Sequence, residues 1–276
     1  MRKVTVTGQD EQQRRDRWTA LGIRTDIPYP ARVYDYLLGG KDNFAADREM
    51  AELSLRVMPE VLDSARANRK FLARAVRFLC DSGIQQFLDI GTGLPTSPNT
   101  YEIAQSGAPG ARVVCVDNDP VVVLRAESLM AGNQATMVVR ADLRDAGHVA
   151  AAAGKLLDLT KPVGLLLVAC LHNIPDPDDP AGIVARYLTA LAPGSYLAIS
   201  HVTDEFAPDR MHAVTAEYQQ RGTVFIGRSK DAIRHMFNGR ELVTPGLVRI
   251  SHWRPDGGRP EPNADRVWGY CGVARI

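Results

Sequence analysis

Asp89 closes the apolar run in FLDIGTGLPT and is followed at once by Gly91 and Gly93, so an acid and a glycine turn end what reads as a buried strand. Asp117 lies at the strand tip in ARVVCVDND, 24 residues past Gly93, and Asp142 at the strand tip in ATMVVRADLRD. Acids so placed suit a nucleoside: Asp117 would accept from the ribose hydroxyls, and Asp142 would take an adenine amino group while Leu143 packs on the ring. Bare glycine backbone lets a ligand lie close. A pyrophosphate would call for a third glycine and a cradle of N–H donors. Pro95 and Thr96 stand there instead, and proline has no N–H to give. The loop therefore suits a nucleoside-bearing ligand that has no phosphate.

Two histidines follow apolar runs further on. His172 lies in ACLHNIPDPDD and His201 in SHVTDE, beside Asp204. Histidine titrates near neutrality and can serve as a general base. The competing reading for His172 is a loop histidine bonded to backbone. His201 and Asp204 could reach an acceptor, while a turn rich in Thr, Asp and Glu also reads as simple capping, and Asp176 reads as a helix cap. The segment RVYDYLLGGKDNF crowds Arg32, Tyr34, Asp35, Tyr36, Lys41, Asp42 and Asn43 around a double glycine. We expect a lid there, with Arg32, Tyr34, Lys41 and Asn43 as substrate contacts, Tyr34 and Asn43 pointing inward, and Asn68 and Arg69 bracing it. The candidates for proton transfer are thus His172, Tyr34 and His201. A glycine C-cap with a solvated turn is the plainer account of Gly39-Gly40.

The elements that must position these residues change rhythm along the chain. Residues 1–25 are polar and read as a tail. Residues 26–84 carry three helical patterns, starting near Ala31 and covering roughly 45–57 and 60–80, and form a helical cap. Residues 85–276 alternate strand and helix, with strands at QQFLDIG, ARVVCVD, ATMVVRAD, PVGLLLVAC and GSYLAISHV. These strands are continuously apolar, as in a parallel sheet covered on both faces. Helices are expected near 145–157, 178–191 and 208–221 and at SKDAIRHMF. ELVTPGLVRI and WGYCGVARI then close the chain as two strands without a helix between them, so they pair antiparallel. In an open sheet of this kind the ligand lies beyond the carboxyl ends of the strands, where the strand order reverses.

Composition excludes other roles. With 33 basic and 32 acidic side chains in 276 residues, net charge +1, there is no basic field for nucleic acid. The four cysteines lie far apart without metal-ligand spacing, so no metal is expected and a reducing cytoplasm fits. The N-terminus shows no apolar signal core, and the run VGLLLVACL is far too short to span a bilayer.

A sheet of about seven strands with an antiparallel last strand resembles the class I methyltransferases, whose cofactor S-adenosyl-L-methionine has a sulfonium and one carboxylate but no phosphate. RVYDYLLGGKDNF, NRKFLARAVRFL, QFLDIGTGLPTSPNTYEIAQ and ARVVCVDNDPVVVLRAESLM together resemble a bacterial family of methyltransferase-like proteins of unassigned substrate. The similarity runs from about residue 26 to the end. It implies an α/β Rossmann-like methyltransferase fold with an N-terminal helical extension. It also implies cofactor contacts from Asp89, Gly91, Gly93, Asp117, Asn118, Asp142 and Leu143. The LHN segment is similar to one that lines the cofactor site of small-molecule O-methyltransferases, which brings His172 to the same crevice. No Asp-Pro-Pro-Tyr-like motif follows it, which argues against acceptors on nucleic acid bases. The expected function is methyl transfer to a small molecule. The alternatives are a non-catalytic S-adenosylmethionine sensor and an NAD(P)-linked oxidoreductase, the last disfavoured by Pro95 and the antiparallel ending. The acceptor, the general base and the oligomeric state are not legible.

Overall fold

In a computed structural model, which describes residues 18–260 and 263–276, the chain forms a seven-stranded sheet flanked by helices. The strands are β1 (Gln86–Ile90), β2 (Arg112–Asp117), β3 (Thr136–Arg140), β4 (Gly164–Val168), β5 (Tyr196–Val202), β6 (Val248–Arg249) and β7 (Gly269–Arg275), in the order β3-β2-β1-β4-β5-β7-β6. β1 to β5 are parallel, with Leu88 opposite Val114 on one side and Leu165 on the other. β7 runs antiparallel to both β5 and β6. From β1 the chain first builds outward through β2 and β3, then returns and builds the other way through β4 and β5. The order therefore reverses between β1 and β4, and a crevice opens at their carboxyl ends.

Successive strand residues face opposite sides, and each side has its own core. Leu88, Val114, Leu165 and Leu197 pack with α6 (Ala146–Ala153), α7 (Pro180–Thr189) and α9 (Lys230–His235). Phe87, Val113, Leu166 and Ala198 pack with α3 (Val61–Asp81), α4 (Thr100–Gly107) and α5 (Pro120–Met130). This double coverage explains why the strands read as continuous apolar runs. β3, at the edge, is only partly buried.

Ahead of β1 lie α1 (Pro30–Leu37), α2 (Ala45–Val57) and α3. Pro30 opens α1 and Gly39, at φ +83°, turns the chain out of it. Val33, Leu37, Met50 and Met58 bury themselves against Met211, Val214 and Tyr218 of α8 (Pro208–Gln220) and against Trp268. α1 and α2 thus pack with α8 beside Trp268.

Two sequence expectations need revision. Residues 1–17 of the expected tail lie outside the described residues, but Ile23 is buried against Leu94, Val121 and Val122, and Trp18 packs edge-on to Phe44. The tail's last residues therefore belong to the packed body. ELVTPGLVRI is a strand only at Val248–Arg249, with one isolated bridge from Leu242 to Ala274. Pro245 lacks an N–H, and a turn closed by Gly246 N–H to Val243 O interrupts the ladder.

Candidate functional site

The turn after β1 is shaped by how closely two strand ends approach. Gly91 adopts φ +67°, and a Cβ on it would stand 2.6 Å from Cys170 Cβ, so a side chain fits neither the backbone nor the space. Gly93, at φ +70°, faces open space, and its N–H donates to Asp117 Oδ2 at 3.0 Å. The other Asp117 oxygen accepts from Asp119 N at 2.9 Å. Asp89 Oδ2 accepts from the hydroxyls of Thr92 (2.8 Å) and Thr100 (2.7 Å). Burial raises both carboxyls, Asp117 to about 6. Neither Asp117 nor Asp142 caps a helix: Asp119 caps α5 through Val121 N, and Asp145 caps α6 through His148 N.

The proline-bearing loop gives carbonyls to its partner. Arg69 donates to Thr96 O (2.7 Å) and Pro98 O (2.8 Å), so its guanidinium fastens this loop rather than the lid. Asn68 does meet the lid, through Tyr34.

At the ends of β2 and β3, Asn118 links the segment before α1 to the sheet. Tyr29 donates its hydroxyl to Asn118 Oδ1, and Asn118 in turn bonds Asp142. Asp142 also pairs with Arg144 at 2.6 Å, and that hydrogen-bonded guanidinium holds its carboxyl below the usual range. Arg144 reaches on to Asp178 at 2.9 Å. Tyr29 was not legible as a site residue. It lies in an irregular segment before α1, and nothing local marks it as reaching across to β2.

The ends of β4 and β5 carry a second constellation. Ala169 adopts φ +58°, held there by its N–H donating to Ser200 Oγ at 3.0 Å. Ser200 donates to Asn68 Oδ1 (2.5 Å), Asn68 Nδ2 donates to Tyr34 Oη (3.0 Å), and Tyr34 donates to Ala65 O (2.9 Å). This buried chain ties α1 and α3 to the strand tips. The Tyr34 hydroxyl is committed within it, which corrects its candidacy for proton transfer.

His201 needs the same correction. Arg228 Nη1 lies 2.9 Å from His201 Nε2, and a guanidinium can only donate, so Nε2 accepts. Nδ1 must then carry the proton and donate to Val202 O at 2.7 Å. Burial pushes His201 down to about 3, so it stays neutral with both nitrogens spent. Arg228, itself buried, also donates to Leu171 O, Ile174 O and Asp176 Oδ1, and clamps the 3-10 turn Leu171–Asn173. Asp176 is therefore an ion-pair partner and not a cap; Asp179 caps α7 through Gly182 N. Arg228, far along the chain from this turn, gave no sequence signal.

His172 stands on that turn, 7% exposed, with its ring edge-on to Phe225 (4.9 Å) and His201 (5.6 Å). Burial, then His201 and Arg228, hold it well below the usual histidine range. Its Nδ1 and the neighbouring Asn173 Oδ1 are buried without a hydrogen-bond partner.

The expected lid contacts divide. Tyr34 lines the cavity described below, whereas Arg32, Lys41 and Asn43 do not. Arg32 is buried and makes a two-pronged pair with Asp119 (2.7 and 2.9 Å), fixing α1 to α5. Lys41 is exposed, and Asn43 donates to Asp35 Oδ2 at 2.8 Å. The double glycine has a structural cause: a Cβ on Gly40 would stand 1.9 Å from an Asp35 carboxylate oxygen. Asp204 does not line the cavity either.

Asp89, Gly91, Gly93 and Asp117 line one cavity of about 420 Å³, together with Asn118, Asp142, Leu143 and His172. Its size is that of a small-molecule site. Open space over Gly93, three carboxylates at the strand tips and bare glycine backbone fit an adenosyl sulfonium amino acid, which needs close backbone and negative neighbours but no phosphate cradle.

Comparison with known proteins agrees with this geometry. The chain is similar to a DUF574 family protein of Streptomyces avermitilis, with 43% identity over 91% of this chain and 98% of that one and a TM-score of 0.86. It is also similar to a candidate methyltransferase of Thermobifida fusca, with 40% identity over 94% and 98% and a TM-score of 0.85. No curated protein matches it. The family model described as S-adenosyl methyltransferase matches residues 16–276. The chain therefore belongs to the S-adenosyl methyltransferase family: it is a methyltransferase, and S-adenosyl-L-methionine is its cofactor.

Proposed function

We propose that this methyltransferase delivers its methyl group to a small-molecule acceptor enclosed beneath residues 26–84, which act as a cap on the catalytic body of residues 85–276. The observation that carries this reading is the continuity of one cavity. It runs from the tips of β1, β2 and β3 to a compartment walled by Val33 and Leu37 of α1, Val61 and Leu72 of α3, Tyr218 of α8 and Trp268. A polymer has no room in a compartment roofed by helices, and net charge +1 gives nucleic acid no attraction.

Asp117 would accept from the ribose hydroxyls, Asp142 and Asn118 would hold the adenine edge with Leu143 against the ring, and Asp89 with Gly91 and Gly93 would shape the remainder. Bound there, the cofactor supplies a methyl group on a positively charged sulfur. The protein's own work is to position the acceptor and exclude water. His172 is the proposed polar contact at the transfer point, since its ring retains an unpartnered nitrogen while Tyr34 and His201 are committed. Four free thiols suit a reducing cytoplasm, and no described helix is long and apolar enough to cross a membrane.

Calorimetric titration with S-adenosylmethionine, S-adenosylhomocysteine and NAD tests the donor site, and the first two should bind while NAD does not. Incubating cell extract with donor labelled in the methyl group tests the acceptor. Label is expected in the low-molecular-mass fraction; label confined to protein or nucleic acid refutes the proposal.

A further inference from the structure

The compartment under the cap is both aromatic and uncharged. Phe225 stacks on Tyr218 at 4.9 Å and 24° and meets the His172 ring at 4.9 Å and 65°, and Trp268 closes the same space. Flat rings favour such faces and edges. Of the formally charged residues lining the described cavity, Asp117 and Asp142 stand at the donor end on the tips of β2 and β3, and the other three are committed. Arg69 serves two carbonyls, Arg144 serves Asp142 and Asp178, and Asp89 serves two threonine hydroxyls. Arg210, behind Trp268, is stacked on that ring at 4.3 Å and paired with Glu60. Both histidines of the wall are held neutral. A carboxylate or ammonium entering this space would lose its hydration without gaining a counter-charge, a large penalty. A hydroxyl faces no such loss, and His172 and Asn173, both on the cavity wall, carry buried polar atoms, Nδ1 and Oδ1, without a hydrogen-bond partner, a state that calls for an explanation.

We propose that the acceptor is an uncharged aromatic compound whose nucleophile is a hydroxyl, and that His172 is the side chain that reads that hydroxyl. This rests on the small-molecule reading above and narrows it to one chemical class.

The test uses one ring with different head groups: 1-naphthol, 1-methoxynaphthalene, 1-naphthoate and 1-naphthylmethylammonium. Each is titrated against protein saturated with S-adenosylhomocysteine. We expect 1-naphthol to bind at least tenfold more tightly than either ion and several-fold more tightly than the methoxy compound. His172→Phe, kept saturated with S-adenosylhomocysteine at a concentration set by its own measured affinity, should erase the difference between naphthol and its methyl ether. Val61→Lys, at a partly exposed position on the wall, should raise naphthoate affinity at least tenfold. The proposal is overturned if naphthoate or the ammonium equals naphthol in the native protein, if none of the four binds, or if His172→Phe keeps the naphthol preference. Failure of S-adenosylhomocysteine to bind would instead sink the donor reading, and the head-group series on the unloaded protein would still decide this one.

Discussion

Replacing Arg32 by methionine tests how the cap is fastened. The Arg32–Asp119 pair is 1% and 0% exposed, so its energy is not screened by water. Removing the guanidinium leaves the Asp119 carboxylate buried, with the N–H of Val121 as its remaining neutraliser. Stranding one partner of such a pair costs about 3–5 kcal/mol. Arg32 also donates to Arg24 O at 2.6 Å and lies over the rings of Tyr29 and Phe44 at 5.1 and 5.2 Å, which places the loss toward the upper end. At roughly 2–4 °C per kcal/mol for a domain of this size, Arg32→Met should lower the melting midpoint by roughly 6–20 °C. Thermal and urea unfolding at pH 7 measure it. Adding Asp119→Asn removes the stranded charge but keeps a side-chain cap for α5, so the double variant should recover at least about 2 kcal/mol. The exposed Arg77–Asp256 pair is the control, and Arg77→Met should leave the midpoint unmoved. A loss under about 1 kcal/mol for Arg32→Met, or a double variant no better than the single, would refute the clamp.

Asp117, raised to about 6 in the free protein, must be ionised to accept from ribose hydroxyls, and those hydroxyls favour the charged form. Binding then releases a proton, so affinity should rise as pH climbs through 6 and level off above it, falling up to about tenfold per unit below. Calorimetry with methylthioadenosine, which lacks the titrating amino acid group, measures this; a flat profile from pH 5 to 8 contradicts it. Tyr29→Phe removes the hydroxyl bonded to Asn118 and should speed cofactor release several-fold in stopped-flow measurements, with little change in melting point because the Arg32–Asp119 clamp persists. Gly91→Ala forces a Cβ to 2.6 Å from Cys170 Cβ at φ +67°, and should cost both stability and detectable S-adenosylmethionine binding, whereas Gly93→Ala, at φ +70° but with open space, should lose only about 1–2 kcal/mol of stability and fold, with weakened affinity.

The element order, the parallel sheet, its antiparallel close and the acids and glycines at the first three strand ends were legible because each rests on local pattern. Apolar runs, helix caps and turn glycines are written within ten or so neighbouring residues. The lid segment shows where that reading stops. Its polar residues point to substrate contacts, yet Arg32 meets Asp119 across 87 positions and Asn43 turns back onto Asp35. The same holds for the candidate bases. His201 is disqualified by Arg228, Tyr34 by Asn68 and Ala65, and Asn68 finds Ser200 across 132 positions.

The sequence by itself determined which strand tips would carry acid and glycine, because periodicity and turn chemistry act between neighbours. Which polar groups are spent and which stay open was decided only when the N-terminal helices packed onto the strand ends. Burial there demands a partner for nearly every donor and acceptor, and those partners lie far apart along the chain.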